Sequence, residues 1–316
     1  MKELKILLVV LFFTLLTYWG VEPFAHSKMH KHVEDQNFAY KDLPTLTKTG
    51  DASRGKALVM GAGACIGCHS IKAAGVPAPM DPNTAAASYG VNPPDLSNVG
   101  ALLDERFLAQ LIKDPVKALK LEHKFDGKTR FFPMPAFAGA GGDKNQEVAD
   151  MVAYFKSIAS KEITPKEAYV ETCGRCHANR YGKFEQIGFV PKTKSNIKTN
   201  QDIALLKFKE KVGEYQNKLA DYEGKLPPDL SIMIRARSED FMKTFVEEPQ
   251  SQLKGTAMPR VGVTKEGYEK VMKYLEETGD PSKPAREALG PWVIGFFVIF
   301  TILALLWKKS IWRDLH

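Results

Sequence analysis

Cysteine is scarce in this chain: there are four among 316 residues. The chain also lacks an alternating strand–helix–strand pattern, so a thioredoxin-like redox pair has no scaffold to sit on. No nucleophile or acid–base constellation stands out. A one-sided charge surplus is missing too. The formal charge is +7, but the lysines are mixed with Asp and Glu, and this balance does not read as a nucleic-acid surface; no nucleic-acid partner is expected. What is present is one short word, written twice. Cys65-Ile66-Gly67-Cys68-His69 and Cys173-Gly174-Arg175-Cys176-His177 are both C-x-x-C-H, and together they use all four cysteines. This is the attachment signature of c-type haem. Each cysteine pair forms thioethers to one porphyrin, and His69 and His177 supply an axial nitrogen to iron. Zinc would have to gather both pairs at one metal across a domain's length of chain, and would leave the histidine after each pair unexplained. The expected cofactors are two covalently bound haem c groups, and the expected chemistry is electron transfer.

The two ends are apolar. Met1-Lys2-Glu3-Leu4-Lys5 precedes an uncharged run from Ile6 to Val21. Small residues of a cleavage site are missing after it, and Tyr18 and Trp19 resemble an interfacial belt. An uncleaved anchor is therefore expected over residues 1–25. A second run, Pro291–Trp307, contains no charge and is followed by Lys308, Lys309 and Arg313. It has no polar face, which a core helix would need. The expected transmembrane helix covers 291–308, with a tail at 309–316. Basic residues at both ends place both termini in the cytoplasm of an inner-membrane protein, with the haem-bearing part in the periplasm.

Between the ends lies an internal repeat. Each haem word is followed by Pro-Pro-Asp-Leu-Ser, at 93–97 and 227–231. A helix-like stretch then ends in an acid and a proline, Asp114-Pro115 and Glu248-Pro249. A Met-Pro pair follows, Met134-Pro135 and Met258-Pro259, and an amphipathic helix closes each copy. The expected copies are 51–160 and 161–280, flanked by linkers at 26–50 and 281–290. His26, His30 and His32 cluster in the first linker without completing a metal site. Copy two carries an insertion at 182–224, where Leu205, Phe208, Val212, Tyr215, Leu219 and Tyr222 follow a 3-4-3-4-3 spacing. That stripe is expected to pack on its own domain, with a partner subunit as the sharper alternative. The fold class is all-α.

Thioether sulfur is the expected sixth ligand, from Met134 and Met258. Each proline would stiffen the loop that holds the sulfur. His123 is the rival ligand in copy one. Met233, Met242 and Met272 are expected to pack in the core. The outer nitrogen of an axial histidine needs an acceptor, and the backbone carbonyls near Pro94 and Pro228 are the candidates.

These residues resemble tandem class I cytochrome c domains. The full layout, with N-terminal and C-terminal transmembrane helices, resembles the dihaem cytochrome c (c1-type) subunit of bacterial cytochrome bc1 complexes, as does the stretch Thr17–His26. The resemblance implies a quinol:cytochrome c oxidoreductase with cytochrome b and Rieske iron–sulfur subunits as partners. The chain would take electrons from the Rieske protein and pass them to a soluble cytochrome c or a terminal oxidase. Copy two would receive them first. The dihaem subunit of a cbb3-type oxidase, a dihaem cytochrome c peroxidase and a free-standing membrane cytochrome stay open as alternatives.

Overall fold

The structure, a computed structural model, describes residues 2–29, 40–192 and 198–313. His30 and His32 lie outside them. The chain begins with an apolar rod: α1 (Lys2–Leu16) runs through a π-helical turn, Thr17–Val21, into α2 (Glu22–Met29). It ends in a second rod, α15 (Lys283–Arg313), which continues through Pro291. The helices Leu4–Ala25 and Lys283–Arg313 each contain an apolar window, of mean hydropathy 2.1 and 2.4, that is not buried against the rest of the chain. They are long and apolar enough to cross a bilayer. Inside the described body, strand is confined to a hairpin, β1 (Phe184–Glu185) and β2 (Gly188–Phe189).

The first half is built around α3 (Ala52–Met60) crossing α8 (Lys144–Ile158). Gly55 makes that crossing close: a Cβ there would lie 1.9 Å from the Asp150 carbonyl oxygen. Asp150 is buried, and Arg54 grips its carboxylate at 2.7 and 2.8 Å. That bond holds the Asp150 carboxyl down at about 2. Between these helices come α4 (Pro82–Tyr89), α5 (Val99–Leu102), α6 (Glu105–Lys113) and α7 (Pro115–Ala118). Asp81, Asp104 and Asp143 cap α4, α6 and α8 with their side chains, as short acidic residues do at N-termini. Val148, Met151, Val152 and Phe155 line the buried face of α8.

The second half is helical as well. α9 (Pro165–Thr172) packs on α14 (Lys265–Gly279), with α10 (Lys198–Glu223), α11 (Met233–Ala236), α12 (Glu239–Glu247) and α13 (Pro249–Gln252) between them. The halves are not separate beads. Leu102, Phe107 and Leu119 from the first half share one core cluster with Tyr169, Tyr268, Val271 and Leu275 from the second. Main-chain bonds cross the seam: Asp104 N–H donates to Gly262 O at 2.8 Å, and Thr264 N–H to Leu102 O at 2.8 Å. At the foot of α15, Arg286 forks onto Asp280 at 2.6 and 2.7 Å, tying the rod to the end of α14.

The insertion stripe packs on its own half, as expected, next to Cys176 and Ile187, and on the first half as well. Val212, Tyr215 and Leu219 are buried, and α10 lies against α4 of the first half. Asn83 at the start of α4 donates its amide to Lys211 O and to Glu214, both at 2.9 Å. Periodicity marked the buried face; its neighbours come from both halves.

Candidate haem-binding site

Both C-x-x-C-H words wind into a tight turn. His69 N–H donates to Cys65 O at 2.9 Å, and His177 N–H donates to Cys173 O at 2.9 Å. The turn brings two sulfurs and one imidazole to the same side. Ala64 enters it with φ 51°, a left-handed conformation that a residue with a Cβ takes at a cost. All four cysteines are free thiols and half-buried. Burial pushes Cys173 and Cys176 up to about 11. These are protonated thiols, unlike the depressed thiolates of redox pairs. Among the described residues, no three His, Cys, Asp or Glu side chains converge to hold a metal ion as zinc would require.

The imidazoles are held in one tautomer. Nδ1 of His69 lies 2.8 Å from Pro94 O, and Nδ1 of His177 lies 2.8 Å from Pro228 O. A carbonyl oxygen only accepts, so Nδ1 carries the proton and Nε2 keeps a lone pair for a metal. Burial pushes both rings below the usual histidine value, which favours the neutral form.

The rest of each Pro-Pro-Asp-Leu-Ser string fastens that carbonyl. Leu96 N–H donates to Ser70 O, and Leu230 N–H to Ala178 O, both at 2.9 Å; each acceptor directly follows the axial histidine. Asp95 accepts from Ser70 Oγ at 2.7 Å, and Tyr181 N–H donates to Ser231 Oγ at 3.1 Å. The repeated string therefore straps the histidine in place in both halves.

One cavity of about 1420 Å³ receives everything. It is bordered by all four cysteines, His69, His177, Pro94, Pro228, Met134 and Met258. Its volume exceeds the ~300–1,000 Å³ usual for one small-molecule pocket. His123 is not on its wall; the Nε2 of His123 faces Thr256 O at 3.1 Å near the surface. Met242 and Met272 are buried in the core cluster and Met233 packs against it, while all three also touch the cavity.

The two methionine loops are held by different means. Past Met134, the Glu147 carboxylate accepts from Ala140 N–H at 2.8 Å and Gly142 N–H at 2.9 Å. Past Met258, Arg260 N–H donates to Leu119 O at 3.1 Å, and the guanidinium forks onto Asp42 at 2.7 and 2.8 Å.

Two orphaned polar atoms test whether the cavity suits haem. Arg260 is 2% exposed and its Nε has no partner; the Glu171 Oε2 is also buried and unpaired. Both residues border the cavity. An apolar chamber with thiols, an imidazole nitrogen left unbonded on each histidine, thioethers and one unpartnered buried guanidinium N–H, on an Arg260 otherwise paired with Asp42, fits an apolar macrocycle with carboxylate edges. Residues 52–159 match the family model for cytochrome c. This part of the chain is a cytochrome c domain. Such a domain carries haem c covalently, and Cys65, Cys68 and His69 fall inside the matched span.

Two further likenesses were found. The ammonia monooxygenase gamma subunit of Nitrosomonas europaea is 26% identical over 204 residues, covering 50% of this chain and 86% of that protein. A solved structure described as a hyperthermophilic respiratory Complex III is similar at 23% identity and a TM-score of 0.36, covering 48% of this chain and 75% of that one. Sequence reasoning missed Arg260, Glu147 and Tyr215 at this site. The partner of Arg260, Asp42, lies 218 positions away and leaves no local mark, whereas Glu147 acts on Ala140 and Gly142 only seven and five residues before it.

Proposed function

We propose that this chain is the dihaem c-type cytochrome subunit of a quinol:cytochrome c oxidoreductase. Its job is to take one electron at a time from a Rieske iron–sulfur protein and pass it to a periplasmic cytochrome c or a terminal oxidase. The observation that carries the reading is the shared cavity, bordered by two haem words, two histidine-holding carbonyls and two Met-Pro pairs. Cys65 and Cys68 would bind one porphyrin, Cys173 and Cys176 the other. Bound haem supplies a one-electron ferric–ferrous couple. His69 and His177 offer Nε2 from one side, in rings whose outer nitrogen is already committed to Pro94 O and Pro228 O. Met134 and Met258 offer sulfur, which favours the ferrous form and raises the potential. The apolar wall keeps water from the irons.

The two apolar rods anchor the body in the inner membrane, with cytochrome b and the Rieske protein as neighbours. Lys308, Lys309 and Arg313 lie in the last turns of the second rod, past its apolar run, and put its end in the cytoplasm by the positive-inside rule. Copy two is tied to that rod through Asp280 and Arg286, which favours it as the first acceptor.

Gentle solubilisation tests the proposal. The expected result is two haems per chain by pyridine haemochrome analysis, and co-purification with a b-type cytochrome and a Rieske protein. A copper-containing oxidase alone, an oxygenase of the kind the Nitrosomonas relative's name denotes, or rapid reaction of the reduced protein with hydrogen peroxide would each overturn it. Met258→Ala is expected to slow oxidation of the Rieske protein more than Met134→Ala; the reverse order would reassign the first acceptor.

A further inference from the structure

The insertion helix α10 belongs to copy two by sequence and meets copy one along its second half, from Lys211 to Glu223. Its most buried polar group is the hydroxyl of Tyr215, a residue that is fully buried. That hydroxyl accepts from Asn92 N–H at 3.1 Å and donates to Arg175 O at 2.8 Å. Asn92 stands directly before Pro93-Pro94, the segment whose carbonyl holds His69. Arg175 is the middle residue of the second C-x-x-C-H word. One hydroxyl thus joins the backbone behind the first imidazole to the backbone between the second pair of cysteines.

Other contacts hold α10 in that position. Gly90 ends α4 at φ 83°, and a Cβ there would lie 2.1 Å from the Tyr222 ring. Lys124 pairs with Glu223, both side chains nearly buried, and sits 4.4 Å over the Tyr222 ring. Arg130 donates to Tyr222 O at 2.7 Å. A helix needed only to cover copy two would have no use for these anchors in copy one.

We propose that Tyr215 is a positioning residue that sets the two haem sites relative to each other. Its hydroxyl acts through main chain at both sites. The inference rests on the dihaem reading and goes beyond it: the insertion serves as a clamp between the two electron sites. Losing the hydroxyl leaves the Asn92 N–H and the Arg175 carbonyl without their shared partner. Both segments then relax, and the two sites change unequally because one loop holds an imidazole and the other the thioether cysteines.

The test uses the full-length protein in detergent, carrying Tyr215→Phe, with Tyr154→Phe as control because the Tyr154 hydroxyl is buried without a partner. Haem is counted by pyridine haemochrome, and the two midpoint potentials are read by spectroelectrochemical titration. The expected result is two haems and a change in midpoint separation worth a two- to threefold shift in equilibrium, about 18–28 mV at 59 mV per tenfold. The control leaves the separation unchanged. Should Tyr215→Phe not accumulate, Asn83→Ala removes the bonds from α4 to Lys211 and Glu214 in the middle of the same helix and is expected to move the separation in the same way. Two haems with an unmoved separation in the variant tested would overturn the inference alone. One haem per chain in the unsubstituted protein would overturn the dihaem reading beneath it.

Discussion

The two halves carry the same motifs but hold them differently. The first half fastens its own methionine loop: Glu147, in its closing helix, holds the stretch beyond Met134. The second half borrows. The loop beyond Met258 is fastened by Leu119, Leu102 and Asp104 of the first half and by Asp42 before it. Helix crossings differ as well. Gly55 and Ala168 each lie four residues past their N-caps, Asp51 and Thr164. Gly55 lets the α8 backbone come within a distance that no side chain allows, whereas Ala168 packs its methyl fully buried. A repeat in sequence has become a support and a dependant.

The most severe way to break this comparison is to separate the halves. Residues 51–160 expressed alone with haem-maturation machinery are expected to fold and bind haem. Residues 161–280 alone are expected to remain largely unfolded by circular dichroism. Stable haem binding by the second fragment would contradict the borrowing. Next in size is Gly55→Ala. Overpacking typically costs about 1–3 kcal/mol, and here the new methyl would meet main chain at 1.9 Å, so the upper end is expected. The mirror change, Ala168→Gly, should cost only about 1 kcal/mol from helix propensity, plus a small void. Thermal melts of both variants would measure the contrast.

Asp42→Asn probes the borrowed loop. Breaking a buried pair costs ~3–5 kcal/mol. Because the Asp42 side chain is 47% exposed, about 1–2 kcal/mol is expected after discounting for solvent. Its dependence on pH has a definite sign. The hydrogen bond from Arg260 lowers the Asp42 carboxyl below its usual value. The stabilisation is therefore present above the unfolded value near ~4 and is lost as pH falls through the lower folded value. Melts of the wild type and Asp42→Asn should converge at acid pH; a constant gap would refute the assignment. The smallest effect is expected from Glu147→Gln. It keeps one acceptor oxygen and gives up a charge-assisted bond, at a cost of about 1 kcal/mol. Its optical signature should be confined to the haem of the first half; a change at the second would blur the distinction between the halves.

Much of the site was legible in the residues. The C-x-x-C-H words, the Pro-Pro-Asp-Leu-Ser strings and the Met-Pro pairs are local, and their chemistry requires short spacings that a linear reading captures. The turn of each word and the carbonyl behind each histidine follow from a few consecutive residues and one loop. The helices of each copy were legible for the same reason: capping residues and apolar spacing are local signals. The partner of the α10 stripe was not. Apolar spacing says that a face is covered, and Val212, Tyr215 and Leu219 would look the same against either copy. The bond from Arg260 to Asp42 spans 218 positions and leaves no mark in either neighbourhood.

By itself, the order of residues determined the thiols, imidazoles and thioethers, their spacing within each copy, and the apolar ends, because each depends on chemistry within a turn or two of chain. Tertiary structure alone decided that both words open into one chamber, that α10 bridges the copies, and that the second methionine loop leans on the first half. Those outcomes depend on which buried faces meet, and surfaces of similar shape and polarity are distinguished only when the whole chain packs at once.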